Sequence, residues 1–344
     1  MDIFKTIIKG FQRFQRLRLP SWLILLAAIF SLSVLNSCSN NAPTANRPDV
    51  IRADYAYYNP VSLVLKQKGW LEESLQPDQV KVEWVLSQGS NKALEFLNGR
   101  SLDFGSTAGA AALIGKANGN PIKSIYVYSK PEWTALVTSA NSSIKSVADL
   151  KGKKVAATRG TDPFIFLLRA LDKEGLSEKD VEIVQLQHAD GRAALEKGDV
   201  DAWAGLDPHM AKSEMEKGSR LFFREPNFNS YGILNVREEF AQKYPDYVNR
   251  VLAAYEKARQ WAIQNPAELK QVLVQESKLT DVVAARQLER TDLSNSRIGD
   301  DQRAVITAAG DVLKKSGVIS NSTDVNQTVS SLIDTQYVEK LASK

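Results

Sequence analysis

The segment Val155-Ala-Ala-Thr-Arg-Gly-Thr-Asp-Pro-Phe164 joins a strand-forming run to the beginning of a helix. Its first residues favour a strand, Gly160 favours a turn, and Pro163 suits the first helical position, with Thr161 or Asp162 as the cap. The beginning of a helix offers unpaired N–H groups and the positive end of the helix dipole, which favour anions. Many such turns bind nothing, so this segment predicts a strand–turn–helix unit and gives only the outline of an anion site.

The same alternation of strand and helix patterns extends to both sides, from Val50 to Lys217. It predicts a parallel or mixed sheet covered by helices, which is the α/β class. Beyond residue 236 the pattern is helical only, and we expect those helices to cover the sheets. The predicted strands are residues 50–55, 80–85, 102–104, 122–127, 134–138, 154–157, 181–186 and 200–204, with a turn at 105–107; the predicted helices are 60–68, 92–97, 108–117, 163–174, 191–197, 208–217, 246–263, 267–276, 281–290, 301–315 and 325–340.

Two segments repeat one plan at a distance of 98 residues, measured from Asp103 to Asp201. Each contains the end of a helix, a glycine stop, an aspartate, a short apolar strand, a turn and a new helix. The repeat predicts two similar α/β lobes that face each other. Ligands of such proteins usually bind at the carboxyl ends of the strands, in the cleft between the lobes.

Residues 1–37 have the pattern of a leader. Five basic residues precede an apolar run, Trp22–Leu35, of 14 residues. The run is shorter than the roughly 20 residues of a membrane-spanning helix and fits the apolar part of a secretory signal. An uncleaved N-terminal anchor helix is the alternative. The polar, proline-containing segment 38–48 is predicted to be a flexible tether.

The charge balance and the residue inventory exclude several classes of function. The chain has 44 basic and 40 acidic residues, and without the leader's five basic and one acidic residue 39 of each remain. Nothing therefore indicates nucleic-acid binding. The two histidines, His188 and His209, are not at metal-ligand spacing, and the sequence has neither a G-x-S-x-G elbow nor a phosphate loop. The single cysteine, Cys38, excludes a disulfide within the chain. We expect no metal, no cofactor and no enzymatic activity.

Three segments, taken together and in this order, resemble a known family: Gly99-Arg-Ser-Leu-Asp-Phe-Gly-Ser-Thr107, Ile144-Lys-Ser-Val-Ala-Asp-Leu-Lys-Gly-Lys-Lys-Val155 and Gly198-Asp-Val-Asp-Ala-Trp-Ala-Gly-Leu-Asp-Pro208. From about Val50 to Lys340 the chain resembles the periplasmic solute-binding proteins of ABC importers, in the aliphatic-sulfonate, taurine and nitrate branch. In addition, Leu35-Asn-Ser-Cys38 resembles a bacterial lipoprotein signal, in which Cys38 becomes the lipidated first residue.

The resemblance implies a two-lobed, type II periplasmic-binding-protein-like fold, with mixed sheets flanked by helices and a hinge of two crossing strands. The crossings are expected near Leu136–Asn141 and Tyr231–Asn235. Lobe 1 then comprises residues 49–138 and 235–344, and lobe 2 comprises 139–234. The implied partners are a small anionic or zwitterionic solute, an ABC permease and an ATPase. We expect a monomer, anchored by the lipid on Cys38 at the periplasmic side of the bacterial inner membrane.

Four turns are predicted to present helix N-termini to the cleft, although each cap could merely satisfy its own helix. Hydroxyl, amide and backbone N–H donors suit a sulfonate, and Arg159 could add a bidentate contact or be a solvated surface residue. Trp133 and Trp203 could pack on an aliphatic tail, and Trp203 fits the core of its strand equally well. The candidate ligand-binding residues are Tyr58, Asn59, Gln88, Ser106, Thr107, Ala108, Trp133, Arg159, Gly160, Thr161, Asp162, Trp203 and Asp207.

Asp162 does not fit a sulfonate site, because relatives that bind sulfonates tend to carry consecutive serines after the glycine. They also tend to have tryptophan at Leu206 and tyrosine at His209. A carboxylate about 4 Å from a sulfonate costs about 4 kcal/mol at an effective dielectric near 20, more than the 0.3–1 kcal/mol from a helix dipole. We therefore favour Asp162 turning back onto its own helix amides. The alternative is a ligand with a cationic group that pairs with Asp162 or Asp207.

The sequence leaves several alternatives to a sulfonate importer open. The solute could be nitrate, bicarbonate or a pyrimidine, and the chain could be a sensor without a transport role. The thiamine-pyrimidine-forming enzymes of the same fold depend on a cysteine-rich motif and an active-site histidine. In this chain the only cysteine lies in the predicted signal, which argues against that activity.

Overall fold

The protein is described by a computed structural model that covers residues 47–342. The predicted signal, Cys38 and most of the tether lie outside these residues. Eleven strands are found in the described part: β1 (Val50–Tyr55), β2 (Lys81–Leu86), β3 (Phe104–Ala108), β4 (Ile122–Pro131), β5 (Thr134–Thr138), β6 (Lys154–Ala157), β7 (Glu182–Gln185), β8 (Ala202–Leu206), β9 (Arg220–Phe223), β10 (Gly232–Arg237) and β11 (Thr291–Asp292).

Fifteen helices accompany these strands in the same part of the chain. They are α1 (Pro60–Lys68), α2 (Trp70–Leu75), α3 (Ser90–Asn98), α4 (Gly109–Ala117), α5 (Asp162–Lys173), α6 (His188–Lys197), α7 (His209–Lys217), α8 (Glu238–Lys243), α9 (Pro245–Gln264), α10 (Pro266–Ser277), α11 (Asp281–Glu289), α12 (Asp300–Thr307), α13 (Gly310–Lys315), α14 (Val325–Leu332) and α15 (Gln336–Ala342). Within residues 47–342, none of them combines the length and the apolar character that a membrane crossing requires.

The strands form two mixed sheets. The first has the order β11-β4-β10-β3-β1-β2 and the second the order β7-β6-β8-β5-β9. In the first sheet β1 is parallel to β2 and β3, whereas β10 is antiparallel to β3 and β4. In the second sheet β6 is parallel to β7 and β8, whereas β5 is antiparallel to β8 and β9. Each sheet thus combines three parallel strands with antiparallel ones, and helices cover both sheets.

The repeated aspartates have the same role in both sheets. Asp103 accepts a hydrogen bond from the backbone N–H of Arg52 at 2.8 Å, and Asp201 accepts one from Lys154 at 2.8 Å. The backbone N–H groups of the two aspartates return the bond to the carbonyl oxygens of the same partners. This pair of hydrogen bonds fixes β1 against the start of β3 in the first lobe and β6 against the start of β8 in the second. The predicted repeat therefore has a structural role in each sheet.

Local signals place several helices where the sequence predicts them. Asn59 caps α1 by accepting from the backbone N–H of Ser62, Pro60 lies at its first position, and Gly69 ends it with φ +65°. Strand β6 has the predicted bounds of 154–157. The predicted helices 301–315 and 325–340 are each divided in two, at residues 308–309 and 333–335.

The turn predicted at residues 105–107 is wrong, because Gly105, Ser106 and Thr107 belong to β3. They pair with β10, a strand about 130 residues later, so that local turn signals could not reveal the pairing. The helix therefore begins at Gly109, one residue later than predicted.

The first crossing between the lobes lies earlier than predicted, whereas the second overlaps the predicted segment Tyr231–Asn235 at its first residues. The chain leaves the first sheet after Pro131 and enters the second at Thr134, so the whole of β5 belongs to the second lobe. It returns between Phe223 and Gly232. The predicted boundary after residue 138 is thus one strand too late. Strand β5 can be assigned only from its antiparallel partners β8 and β9, and β9 was not among the predicted strands.

Candidate functional site

A cavity of about 220 Å³ lies between the two sheets, where four parallel strands end. The first lobe contributes the segments that follow β1 and β2, and the second lobe contributes those that follow β7 and β8. The lining residues are 57–58, 86–88, 187–190 and 206–209. This is the position at which α/β proteins usually bind ligands.

Two helices begin at this cavity. His188 is the first residue of α6 and His209 is the first residue of α7, and neither N-cap residue caps its helix with its side chain. None of the lining residues is a lysine or an arginine. Backbone N–H groups and helix dipoles are therefore the main positive groups that the lining can offer to an anion.

The lobes approach each other closely beside the cavity, and this requires small residues. A Cβ atom on Gly89 would lie 2.8 Å from Oδ1 of Asn91 and 3.0 Å from Nε2 of His188, so a larger residue there would require these side chains to shift. Gly160 has φ +77°, a conformation that suits glycine, and its Cα faces Asn91 of the first lobe. The predicted turn around Gly160 thus contacts the opposite lobe without lining the cavity.

His188 is fully buried and neutral. Burial, together with the nearby His209, lowers its pKa to about 3. Burial, assisted by Arg192 and Lys212, lowers the pKa of His209 to about 4. Both rings therefore carry no charge at pH 7. Sequence reasoning considers His188 only as a metal ligand and His209 also as a departure from the tyrosine of sulfonate-binding relatives. Within residues 47–342 no group of three or more potential ligands could hold a metal ion.

Asp207 lines the cavity, but its carboxylate is already engaged. It accepts from the backbone N–H of Ala211 at 2.8 Å and from Nη1 of Arg290 at 3.3 Å. Burial raises its pKa to about 6, and the nearby guanidinium of Arg290 limits the increase. Arg290 also pairs with Glu214, and Arg286 pairs with the same glutamate at 2.8 Å. Arg286 belongs to α11 and Arg290 directly follows it, and α11 contacts α7 of the second lobe. This ion-pair cluster therefore connects the lobes.

Asp162 lies outside the cavity lining and contacts neither a ligand position nor the N–H groups of its own helix. Its carboxylate accepts from Nε1 of Trp133 at 2.9 Å and from Ser230, through N at 2.9 Å and Oγ at 2.6 Å. Both predicted roles of Asp162, capping its own helix and pairing with a cationic group of the ligand, are therefore wrong. Its carboxylate instead accepts hydrogen bonds from the two segments that cross between the lobes. The prediction failed because those segments are 29 and 68 residues away in sequence.

The predicted donors of the first lobe are engaged inside the protein. Asn59 donates to Oγ of Ser106 at 2.8 Å, and Ser106 donates to Asp54 at 2.8 Å. Thr107 accepts from Asn235 at 2.8 Å, and the N–H of Ala108 donates to Ser90. All four predicted residues are fully buried. Their side chains and amides fasten β3 to its neighbours, which corrects the prediction that they face the ligand.

Three predicted residues of the second lobe are likewise placed away from the cavity. Thr161 donates to the carbonyl oxygen of Thr158 at 2.6 Å. Arg159 pairs with Glu178 at 3.3 Å with about half of its side chain exposed, which fits the solvated alternative. Trp203 is buried in the core beneath α6, where its ring lies against Gly191. Trp133 is buried at the first crossing and packs edge-on against Tyr58 at 5.8 Å.

Of the candidate residues, Tyr58, Gln88 and Asp207 line the cavity. The hydroxyl of Tyr58 donates to the carbonyl oxygen of Ser106 at 2.9 Å, which leaves its ring to form the wall. Sequence reasoning missed the segment 187–190 entirely. The available signal was its position directly after the predicted strand 181–186, equivalent to the position of Gln88 after β2.

A family model described as NMT1/THI5 like matches residues 61–269, more than half of the chain. The chain belongs to the NMT1/THI5-like family. Two relatives carry the name "Putative aliphatic sulfonates-binding protein". The one from Bacillus subtilis (strain 168) is 29% identical over 323 residues, which are 92% of this chain and 95% of the relative. The one from Escherichia coli (strain K12) is 32% identical over 237 residues, which are 68% of this chain and 72% of the relative.

The fold is also that of a solved sulfonate-binding protein. The alkanesulfonate-binding protein SsuA from Xanthomonas axonopodis pv. citri, bound to MOPS, has 25% identity and a TM-score of 0.76. The alignment covers 82% of this chain and 98% of that protein. Together, the family and the fold confirm the predicted resemblance to sulfonate-type solute-binding proteins and the predicted α/β architecture with two mixed sheets.

Proposed function

We propose that this protein is the substrate-binding subunit of an ABC importer and captures a small organic anion of the aliphatic-sulfonate or taurine type. The observation that carries the proposal is the convergence of α6 and α7 on a cavity between the lobes, where Gln187 and Pro208 provide no side-chain cap and Asp207 occupies only the N–H of Ala211. A sulfonate has one delocalised charge and three acceptor oxygens, which suit several N–H donors. The names of the relatives, which describe binding proteins, support a binding role over a catalytic one.

The size of the cavity limits the ligand. At about 220 Å³ the cavity is smaller than the roughly 300–1,000 Å³ that drug-sized ligands occupy. A short alkanesulfonate or aminoalkanesulfonate is of suitable size. Because residues from both lobes line the cavity, a bound ligand stabilises the closed arrangement over the open one, and binding and hinge closure are coupled.

The location and the partners of the protein are part of the same proposal. A lipid on Cys38 anchors it at the periplasmic side of the inner membrane, because several buried acyl chains, at about 0.8 kcal/mol per CH₂, hold a protein durably to a bilayer. The monomeric protein delivers its solute to a permease, which an ATPase drives. Replacing Cys38 with alanine should release the protein from membranes in a fractionation experiment, and retention of that variant in the membrane fraction would favour an uncleaved anchor.

The test of the proposed function is a ligand screen on the full chain, purified in detergent. Thermal unfolding is followed with ethanesulfonate, propane-1-sulfonate, taurine, nitrate, bicarbonate and a pyrimidine. A ligand at 100 times its Kd stabilises a protein by about 2.7 kcal/mol, which raises the Tm measurably. We expect a shift with at least one sulfonate, and a smaller radius of gyration by X-ray scattering. A shift with nitrate, bicarbonate or the pyrimidine alone, or with none of the six, would contradict the sulfonate assignment.

A further inference from the structure

The end of the cavity at α7 suits an anion. The first turn of α7 contains no acidic residue. Arg192 and Lys212, which pair with Glu196 and Glu216, lie near His209 and add to the effect of burial in disfavouring its protonation. Asp207, the carboxylate nearest to this helix start, accepts from the N–H of Ala211 and is paired with Arg290, which compensates its charge. A sulfonate group therefore has its most favourable position at the beginning of α7.

The beginning of α6 has the opposite character. Asp190 lines the cavity in the first turn of α6, where its charge offsets the positive end of the helix dipole. Within residues 47–342 its carboxylate has neither an ion-pair nor a hydrogen-bond partner. The neighbouring Oε1 of Gln187 is buried and also without a partner in this part of the chain. The beginning of α6 therefore presents a buried acceptor and an exposed carboxylate, neither of which has a donor from the described residues.

The hydrogen bonds of His188 fix which of its ring nitrogens is the acceptor. The single hydroxyl hydrogen of Thr158 is donated to the carbonyl oxygen of Leu186 at 2.7 Å. Nδ1 of His188 lies 3.3 Å from the same hydroxyl oxygen and must therefore carry the hydrogen of that contact. Nε2 of the neutral ring is left as a lone-pair acceptor. His188 lines the cavity with 1% of its surface exposed, and Nε2 has no partner among the described residues.

We infer that the cavity recognises an aminoalkanesulfonate in one orientation, with the sulfonate at the beginning of α7 and the ammonium group between Nε2 of His188 and the carboxylate of Asp190. The inference rests on the proposed function and adds the class of solute and two residues that determine specificity. The ammonium group supplies the donors that Nε2 and Asp190 lack, and a methyl group in its place leaves a buried acceptor unsatisfied. The carboxylates first considered for this role, Asp162 and Asp207, are engaged elsewhere.

The experiment compares two ligands of nearly the same shape by calorimetry on the full chain. Taurine and propane-1-sulfonate differ in the ammonium group of one and the methyl group of the other. We expect taurine to bind at least about tenfold more tightly at pH 7, with 2-hydroxyethanesulfonate, which offers a single donor, between them.

Two variants assign the difference to the named residues. Asp190→Asn removes the charge, and His188→Leu removes the acceptor; each should weaken taurine binding about tenfold or more and change propane-1-sulfonate binding less than threefold. Asp199→Asn, at an exposed position beyond the other end of α6, is the matched control and should bind both ligands as the unmodified protein does. Because Asp190 is exposed, its variant remains informative even if His188→Leu fails to fold.

Three outcomes would overturn the inference, and they are distinguishable. If propane-1-sulfonate binds as tightly as taurine, the orientation is wrong and the sulfonate function stands. If neither ligand binds, the inference fails, and if ethanesulfonate does not bind either, the proposed function fails as well. If binding of propane-1-sulfonate strengthens as the pH falls from 8 to 5, with proton uptake that His188→Leu abolishes, then His188 protonates and donates to the sulfonate instead.

Discussion

Oδ2 of Asp162 accepts a hydrogen bond from Nε1 of Trp133 at 2.9 Å, and this bond fastens the beginning of α5 to the first crossing between the lobes. The second crossing is fastened to the same carboxylate by Ser230, through both its backbone N–H and its hydroxyl. One buried side chain of the second lobe thus positions both segments that cross between the lobes. Asp162 fixes these crossings and does not line the cavity.

Replacing Asp162 with asparagine should destabilise the protein more than it weakens ligand binding. The amide oxygen can replace only one of the two carboxylate oxygens, so at least one buried donor of Trp133 or Ser230 loses its acceptor. Such a loss costs about 1–3 kcal/mol. We expect the free energy of unfolding at pH 7, where Asp162 is ionised, to fall by this amount, measured by denaturant titration, while taurine affinity stays within about threefold. A larger loss of affinity with unchanged stability would show that Asp162 contacts the ligand.

The same variant should also change the pH dependence of stability. Burial raises the pKa of Asp162 to about 6, from an ordinary value of 3.8. The folded state therefore keeps a proton that the unfolded state releases, and the contribution of this group to stability falls as the pH rises from about 4 to 6. The whole change is about 3 kcal/mol. The cost of Asp162→Asn should accordingly be largest near pH 4 and smallest at pH 7, and a cost that is constant with pH would contradict the assignment.

The cavity histidine His188 should have the opposite pH dependence. Its pKa is lowered to about 3 from an ordinary value of 6.5, so the unfolded state takes up a proton before the folded state does. The stability contribution of the neutral ring is present above pH 6.5 and is lost as the pH falls, by about 3 kcal/mol between pH 6.5 and 4. Relative to His188→Leu, the unmodified protein should lose this amount in denaturant titrations over that range. Equal losses in both proteins would mean that the ring protonates freely in the folded state.

The ion pair between Arg290 and Asp207 should be necessary for stability. Replacing Arg290 with methionine leaves a buried carboxylate without its cation, which typically costs about 3–5 kcal/mol. The double variant Arg290→Met/Asp207→Asn should recover part of this loss, because the uncompensated charge is then absent. Arg52→Met is the control: it removes an exposed pair with Glu83 and should cost less than about 1 kcal/mol. Equal effects of Arg290→Met and the control would indicate that the pair between the lobes is solvated.

Elements of the fold with strong local signals could be predicted from the sequence. Helix α1 has a capping asparagine, a proline at its first position and a final glycine, and β6 is a short apolar run between a glycine and a turn. In contrast, local signals place Ser106 and Thr107 in a turn, whereas they belong to β3. Strand β3 is recognisable only from its pairing with β10, about 130 residues later. Non-local pairing of this kind has no signature in a single local segment.

The site was predicted in its general position but less well in its residues. The rule that ligands bind where parallel strands end led to Gln88 and Asp207, which line the cavity. The same rule applied to the strand at 181–186 would have led to His188 and Asp190. Other sequence signals do not reveal them, because His188 is not at metal-ligand spacing and Asp190 lies in no recognised motif. Asp162 faces internal partners and not the cavity. Which of the two a polar residue faces depends on contacts with segments that are distant in the sequence, and local patterns do not reveal them.

The repeated aspartates offer a comparison of one interaction in two environments. Asp103 and Asp201 each accept a backbone hydrogen bond at 2.8 Å, but only Asp103 is buried and pairs with Arg237, at 2.6 Å. Replacing Asp103 with asparagine removes the charge that a largely buried guanidinium requires and should cost about 2–4 kcal/mol. Asp201→Asn keeps an amide oxygen for the N–H of Lys154 in a solvent-exposed position and should cost less than half as much. Urea titrations of the two variants measure the difference, and equal losses would mean that the backbone bond, common to both lobes, is the dominant contribution.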